Sequence, residues 1–256
     1  MTLPFTDEQI ADLYEGFHEV SPKFRDLRER FVLRQFQNAG AREHADQGFS
    51  RRLGSLARCI ERVFEILPPE RVDIPDRDDT VDAALNIQAF VMNAFGCCEN
   101  LAWIWVLERN IRENDGSEVP AGRIGLGPKC RAVRRSFSQE FRDYLGTRRP
   151  WFEHLKDFRD ALAHRIPLYI PPFVVAPDDW DRWTALGTEA NAALLRGDLD
   201  QETALKAEQA GLTRFDPVMA HSLVAGPGAV VFHYQLLADF STIHEIATEF
   251  LIELDR

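Results

Sequence analysis

The chain has 256 residues, 45% of them hydrophobic, enough for one large domain or for one domain carrying a substantial insertion. A formal charge of -11 and a pI near 5.1 exclude a protein that coats nucleic acid along its whole surface, because that needs a broad cationic field. A local basic patch is still allowed.

The capping pattern Thr6-Asp7-Glu8-Gln9 predicts a helix start, with Gln9 at the capping-box position. Ile10, Leu13, Tyr14, Phe17 and Val20 then recur at helical spacing, and Pro22 is expected to break or kink the run. A second helical stretch follows from Pro22 to Gln37, with Phe24, Leu27 and Phe31 inward and Asp26, Glu29 and Arg30 facing water. Asn38 to Gln47 reads as a polar loop. The pattern resumes from Phe49 to Leu67 and ends at Pro68-Pro69, and Glu70 to Asp79 reads as a charged linker.

The longest helix is expected from Thr80 to about Ile111. Phe90, Val91, Phe95, Leu101, Trp103, Ile104, Trp105 and Leu107 make its middle apolar on nearly all sides, so other helices should surround it. Its longest uncharged run, Ala83 to Cys98, falls short of the roughly 18 to 20 apolar residues of a spanning helix, so a core position is expected and no membrane partner. Glu99 and Asn100 are polar positions on this helix, and they either reach an edge or pair locally, or else face Arg159 as core polar partners. Cys59, Cys97, Cys98 and Cys130 lack the pairings of a zinc site or a disulfide framework. They read as reduced, buried thiols of a cytoplasmic protein, and neither metal nor cofactor is expected.

Gly122-Arg123-Ile124-Gly125-Leu126-Gly127 has no strand before it and no Gly-Lys-Ser/Thr ending, so it reads as a turn and not a phosphate loop. Between Arg123 and Arg149 eight cations face two anions, a net of +6 that leaves -17 for the rest of the chain. This segment, with Arg131, Arg134, Arg135, Arg148 and Arg149, could collect a polyanion or be a solvated face that offsets an acidic neighbour.

Pro150 to His164 should form one helix, since Pro suits a first helical position and Ile166-Pro167 forbids continuation. Leu155, Phe158 and Leu162 define its buried stripe, with Arg159 at the edge and Asp157, Asp160 and His164 on the polar side. Asp160 and His164, four apart, can meet. Arg159 and His164, five apart, point about 140 degrees from each other, so two copies about a two-fold axis would combine them better than one. Arg149 and His154 share the spacing, but Pro150 is expected to leave Arg149 before the helix. An Arg would hold a phosphate through forked donors, and a His can move a proton at neutral pH.

Beyond the helix, Leu168 to Val175 reads as extended, Pro177 to Leu195 as a helix stopped by Gly197, and Gln201 to Gln209 as a shorter one. Phe215 to Val224 and Ala229 to His233 are either two short strands joined through Gly226-Pro227-Gly228 or plain loop. A last helix is expected over Tyr234 to Glu253. The fold class is mainly α, a single helical domain over 1–256.

Arg159-Asp160-Ala161-Leu162-Ala163-His164, late in a helical chain, resembles the Arg-polar-x3-His signature of the HEPN superfamily. The resemblance implies a helical bundle with an approximate core at 80–167, an insertion-like segment at 168–233 in a less regular carboxyl-terminal extension, and a final helix at 234–253. It implies Arg159 and His164 as a catalytic pair with Asp160 beside them, and cleavage of RNA without metal. It also implies a homodimer and a setting in toxin-antitoxin or phage-defence systems, where an antitoxin or other regulatory protein would be a partner. The alternative is a non-catalytic helical binding module, in which Arg159 and Asp160 are structural ion-pair members and His164 caps its helix.

Overall fold

The computed structural model describes residues 4–222 and 229–256. The fold is mainly α. Helix α1 spans Asp7–Leu33, and its start is the expected capping box: Gln9 N donates to Thr6 Oγ1 (3.2 Å) and Thr6 N donates to Gln9 Oε1 (2.9 Å). Pro22 does not divide it. The apolar stripe on either side, Val20, Leu27 and Phe31, is buried in one core, and that packing outweighs the single helical hydrogen bond that Pro22 cannot donate. The helix also ends earlier than Gln37.

The expected polar loop is helical as well. Asn38 caps α2 (Ala39–Glu43) by accepting from Gly40 N and Ala41 N, and a turn of π-helix at His44–Phe49 leads directly into α3 (Ser50–Ile66). Ala41, Ala45 and Phe49 are fully buried, one per turn, and hold this segment against the next long helix.

Helix α4 spans Arg77–Glu108 and is the axis of the bundle. It packs against α2, the π-turn and α3, against α5 (Arg131–Ser136) and α7 (Arg149–His164), and against the last helix, α10 (Phe232–Leu254). By length and composition α4 could cross a bilayer, yet 61% of its most apolar window is buried within the fold. Cys59, Cys97 and Cys98 are buried and Cys130 half-buried, all as free thiols.

Helix α6 (Gln139–Thr147) is fastened to the end of α10, where the buried Glu253 carboxylate accepts from Ser138 N (2.6 Å) and Ser138 Oγ (2.7 Å). Helix α7 begins at Arg149, not after it, because Pro150 is tolerated anywhere in a first turn whose N–H groups have no helical acceptor. Its buried base is Leu155, Phe158 and Ala161, with Leu162 half-buried.

Between α7 and α10 Leu168, Ile170, Phe215 and Met219 still pack in the main core, and the chain leaves the bundle only between Ile170 and Phe215. Strand β1 (Val174–Val175) pairs antiparallel with β2 (Thr213–Arg214), and between them stand α8 (Trp180–Leu195) and α9 (Leu199–Ala210), packed chiefly on each other. Leu186, Ala190 and Ala193 are buried in this hairpin but lie outside the main core, while Leu195 at its tip is 89% exposed. Gly197 turns the tip at φ +77, a conformation that favours glycine. Strand β3 (Val218–Met219) pairs antiparallel with β4 (Val230–Val231), so the two-strand reading holds there. The Gly226-Pro227-Gly228 connection lies outside the described residues.

Helix α10 returns to the centre and buries His233 and Asp239 as well as Glu253. Burial drives the His233 imidazole down to about 4, against the pull of the Leu67 carbonyl, which lies 2.6 Å from Nε2. Burial pushes the Asp239 carboxyl up to about 6, although Trp151 Nε1 and Gln235 Nε2 both donate to it. These act on stability in opposite directions. An unfolded imidazole takes a proton near 6.5 and the folded one near 4, so His233 costs stability as pH falls through that window. The folded Asp239 keeps its proton up to about 6 whereas the unfolded carboxyl loses it near 3.8, so its contribution is present at low pH and is lost as pH rises to 6. Asp239→Asn removes only the second effect. Its Tm should therefore fall more steeply than that of the wild type between pH 6 and pH 4; parallel curves in a pH series of thermal melts would refute this account.

Candidate functional site

Their positions on α7 bring Arg159 and Asp160 to the wall of a cleft of about 940 Å³. Its floor is α4, through Phe95, Cys98 and Glu99. One wall is the glycine-rich loop from Gly122 to Cys130, and the other is the α7 face carrying Arg149, Phe152, Lys156 and Arg159. The loop is a turn, as expected, and its use as a cleft wall was not visible in the sequence.

Arg159 is the best-defined side chain of the cleft. Its Cζ lies 4.3 Å from the centroid of the Phe95 ring, and its Nη1 stands 3.1 Å from Asp160 Oδ1, with the side chain 25% exposed. Stacking on an aromatic face fixes the guanidinium plane at little entropic cost. Its Nε is buried without a hydrogen-bond partner, and among the described residues nothing bonds its Nη2. Such a group is held in place with unused donors.

Asp160 is engaged by Lys156 as well as Arg159. Partial burial pushes its carboxyl up, but the Lys156 hydrogen bond and the charges of Arg159, Lys156 and His164 outweigh it, and the pKa lies below the ordinary value. The expected Asp160–His164 contact is replaced by Lys156, one turn back on the same helix. His164 is the last residue of α7, exposed, outside the cleft, and without a hydrogen bond among the described residues. One chain therefore does not bring Arg159 and His164 together.

Of the five arginines expected to collect a polyanion, Arg131 and Arg149 line the cleft. The other three are turned to structural tasks. Arg134 donates to Leu126 O (3.2 Å) and ties the loop to α5, Arg135 donates to Asn114 Oδ1 (3.1 Å), and Arg148 lies over Tyr144 and pairs with Glu245 (2.5 Å). Arg149 itself pairs with Glu153 at 2.8 Å. Lys129 and Lys156 also reach the cleft, and they are two of only four lysines in the chain.

Glu99 lines the cleft near Arg159, but it is an exposed rim residue and not a core partner. Asn100 points about 100 degrees further round α4. It meets Arg52 and His44 instead, which corrects its expected place beside Arg159. Asp157, which also lines the cleft, accepts from Arg165 Nη2 at 2.5 Å, and the buried His221 ring stands 3.2 Å from Asp157 Oδ2. The Arg165 hydrogen bond outweighs partial burial and holds the Asp157 carboxyl below its usual range, and burial lowers His154 nearby. This contact docks the segment after α7 back onto it.

No family model, curated protein or solved structure matches the chain.

The cleft's charge balance makes one expectation direct. Lys156→Met removes the largest influence holding Asp160 down while leaving the burial that pushes it up, so the Asp160 carboxyl pKa should rise. Carbon-detected NMR titration reads it, and an unchanged value would show that Lys156 does not hold this carboxylate.

Proposed function

We propose that the chain is a HEPN-like ribonuclease that cleaves RNA without metal and does so as a homodimer. The observation that carries this is Arg159: a guanidinium stacked on Phe95, facing a cleft large enough for an RNA strand, with unused donors and with Lys129 and Arg131 on the rim. A phosphodiester drawn in by the rim cations would lie against Arg159 Nη2, since Nε is buried. His164 of the partner subunit takes the proton from the 2'-hydroxyl, whose oxygen attacks the adjacent phosphorus. The bond from phosphorus to the 5'-oxygen breaks as that oxygen takes a proton from water, leaving a 2',3'-cyclic phosphate and a 5'-hydroxyl end, and His164 returns its proton to solvent. Arg159 stabilises the extra charge on the phosphorane oxygens, and Asp160 positions Arg159.

The second copy is needed because Arg159 and His164 diverge on α7 and His164 stands clear of the cleft. One observation favours the rival reading of a non-catalytic binding module: Arg159 already has a carboxylate, Asp160, at 3.1 Å. In that reading the cleft binds RNA or a protein acidic segment and His164 has no chemical task. A toxin or phage-defence setting follows only from the catalytic reading.

Purified wild type, Arg159→Ala and His164→Ala are incubated with RNA in EDTA, singly and after subunit exchange. Each variant alone should lose at least about 100-fold in rate, since each removes one half of the reacting pair. Mixing them should restore about a quarter of the wild-type rate, because half of the dimers are mixed and each has one intact pair. Cleavage by all three chains alike, or by none, would remove the ribonuclease reading. Growth arrest on expression that Arg159→Ala relieves would be the cellular counterpart.

A further inference from the structure

On the other side of α4 the chain builds a second cationic arrangement that the ribonuclease reading does not use. Asn86, Asn93 and Asn100 recur every seven residues, so they share one stripe of the helix. Arg52, reaching across from α3, donates from Nη1 to Asn93 Oδ1 (3.2 Å) and from Nε to Asn100 Oδ1 (3.1 Å). Asn93 in turn donates its amide to Ala89 O (2.8 Å), which fixes its oxygen towards the guanidinium.

The Arg52 bond also settles the orientation of Asn100. Its oxygen must face Arg52, so its Nδ2 faces His44 Nδ1 at 3.0 Å and that nitrogen must accept. The imidazole proton then sits on Nε2, pointing away from Asn100. The ring lies parallel to Trp103, with centroids 5.3 Å apart, and partial burial lowers its pKa despite Glu43 next to it. His44 is therefore a neutral, oriented donor.

Two features show that this arrangement is close-fitted. A Cβ on Gly48, in the π-turn, would stand 2.5 Å from Asn100 Nδ2, and a Cβ on Gly96 would stand 2.5 Å from Arg52 Cζ. The π-turn itself is the kind of helical irregularity that often marks a functional site. What the network leaves open is Arg52 Nη2 and His44 Nε2. Among the described residues neither has a hydrogen-bond partner, neither is sealed from solvent, and no carboxylate pairs with Arg52. Half-buried guanidinium charges ordinarily have an anion beside them. Here the neutralising ligands are two asparagine oxygens, which orient the charge without cancelling it.

We propose that Arg52 and His44, aligned by Asn93 and Asn100, form an oxyanion site for a phosphate group, distinct from the Arg159 cleft. Arg52 supplies the charge and a donor at Nη2, and His44 supplies the second donor at Nε2. The phosphate is either a free or terminal one or the diester of a nucleic-acid strand, and both present the same unesterified oxygens to these donors.

The test is NMR of protein labelled in its histidine rings, with His44 assigned through His44→Gln, titrated with inorganic phosphate and separately with the dinucleotide UpU. Sodium chloride holds the ionic strength constant. A saturable shift of the His44 signals with phosphate assigns a free or terminal phosphate, and saturation with UpU alone assigns a diester; either supports the site. In Arg52→Gln the affinity should fall at least about tenfold, as expected for loss of a charge-assisted donor. If that variant does not fold, the Arg52 Nε–H signal followed in His44→Gln reads the same site and should saturate several-fold more weakly. Arg159→Gln should leave the His44 titration unchanged. A drift equal to that with chloride, an unaltered affinity in the folded variants, or loss of the shift in Arg159→Gln would each overturn the proposal.

Discussion

A helix of 32 residues that is apolar around most of its circumference has to be surrounded, and α4 imposes that requirement on the whole chain. Burying it on water's terms alone needs several partners, because one amphipathic helix covers only one stripe. Helices α3, α7 and α10 supply three of those stripes, and α2 with the π-turn closes another. The insertion at α8 and α9 can leave the bundle because α4 does not need it. The last helix cannot, and α10 is buried along its length accordingly, ionisable groups included.

The few polar positions on α4 then decide where chemistry can occur. A polar side chain on a buried helix must reach an edge or find a partner, and the two outcomes lie on different sides. Glu99 reaches an edge and becomes part of the Arg159 cleft, whereas Asn93 and Asn100 find Arg52 and His44. Neighbours in sequence, Glu99 and Asn100 are separated by about 100 degrees around the axis, and that rotation assigns them to separate groups. Phe95 belongs with Glu99, which is why the aromatic face under Arg159 faces the cleft.

Much of this fold was legible because the large apolar residues of α1, α3, α4 and α10 repeat at helical spacing. Two local rules misled. Pro22 was given its full breaking power, although Val20, Leu27 and Phe31 place both halves of α1 in one core. The stretch from Asn38 to Gln47 was read by its polarity, although Ala41 and Ala45 are fully buried; alanine carries too little apolar surface to show in a stripe of larger residues. For the site, Arg159 and Asp160 could be placed on α7 from spacing, but the glycine-rich wall and Lys129 could not. Those come from across the bundle, and single-helix geometry contains no information on what faces it. Arg134 and Arg148 show the same limit from the other side, since their charge was legible and their structural partners were not.

In the ribonuclease proposed above, the separation of Arg159 from His164 would constrain the mechanism. Five residues along an α-helix advance about 7.5 Å and turn about 140 degrees, so Arg159 and His164 leave a single rigid α7 in different directions. Arg159 is further committed by its stack on Phe95, which would have to break for the side chain to swing towards His164. His164, exposed at a helix end, is free of any such tie among the described residues. The fixed member suits the task of recognising charge, which depends on geometry set in advance, and the exposed member suits delivery to a site on another copy. A pair that worked within one chain would need the opposite arrangement, with both groups turned to one wall of the cleft.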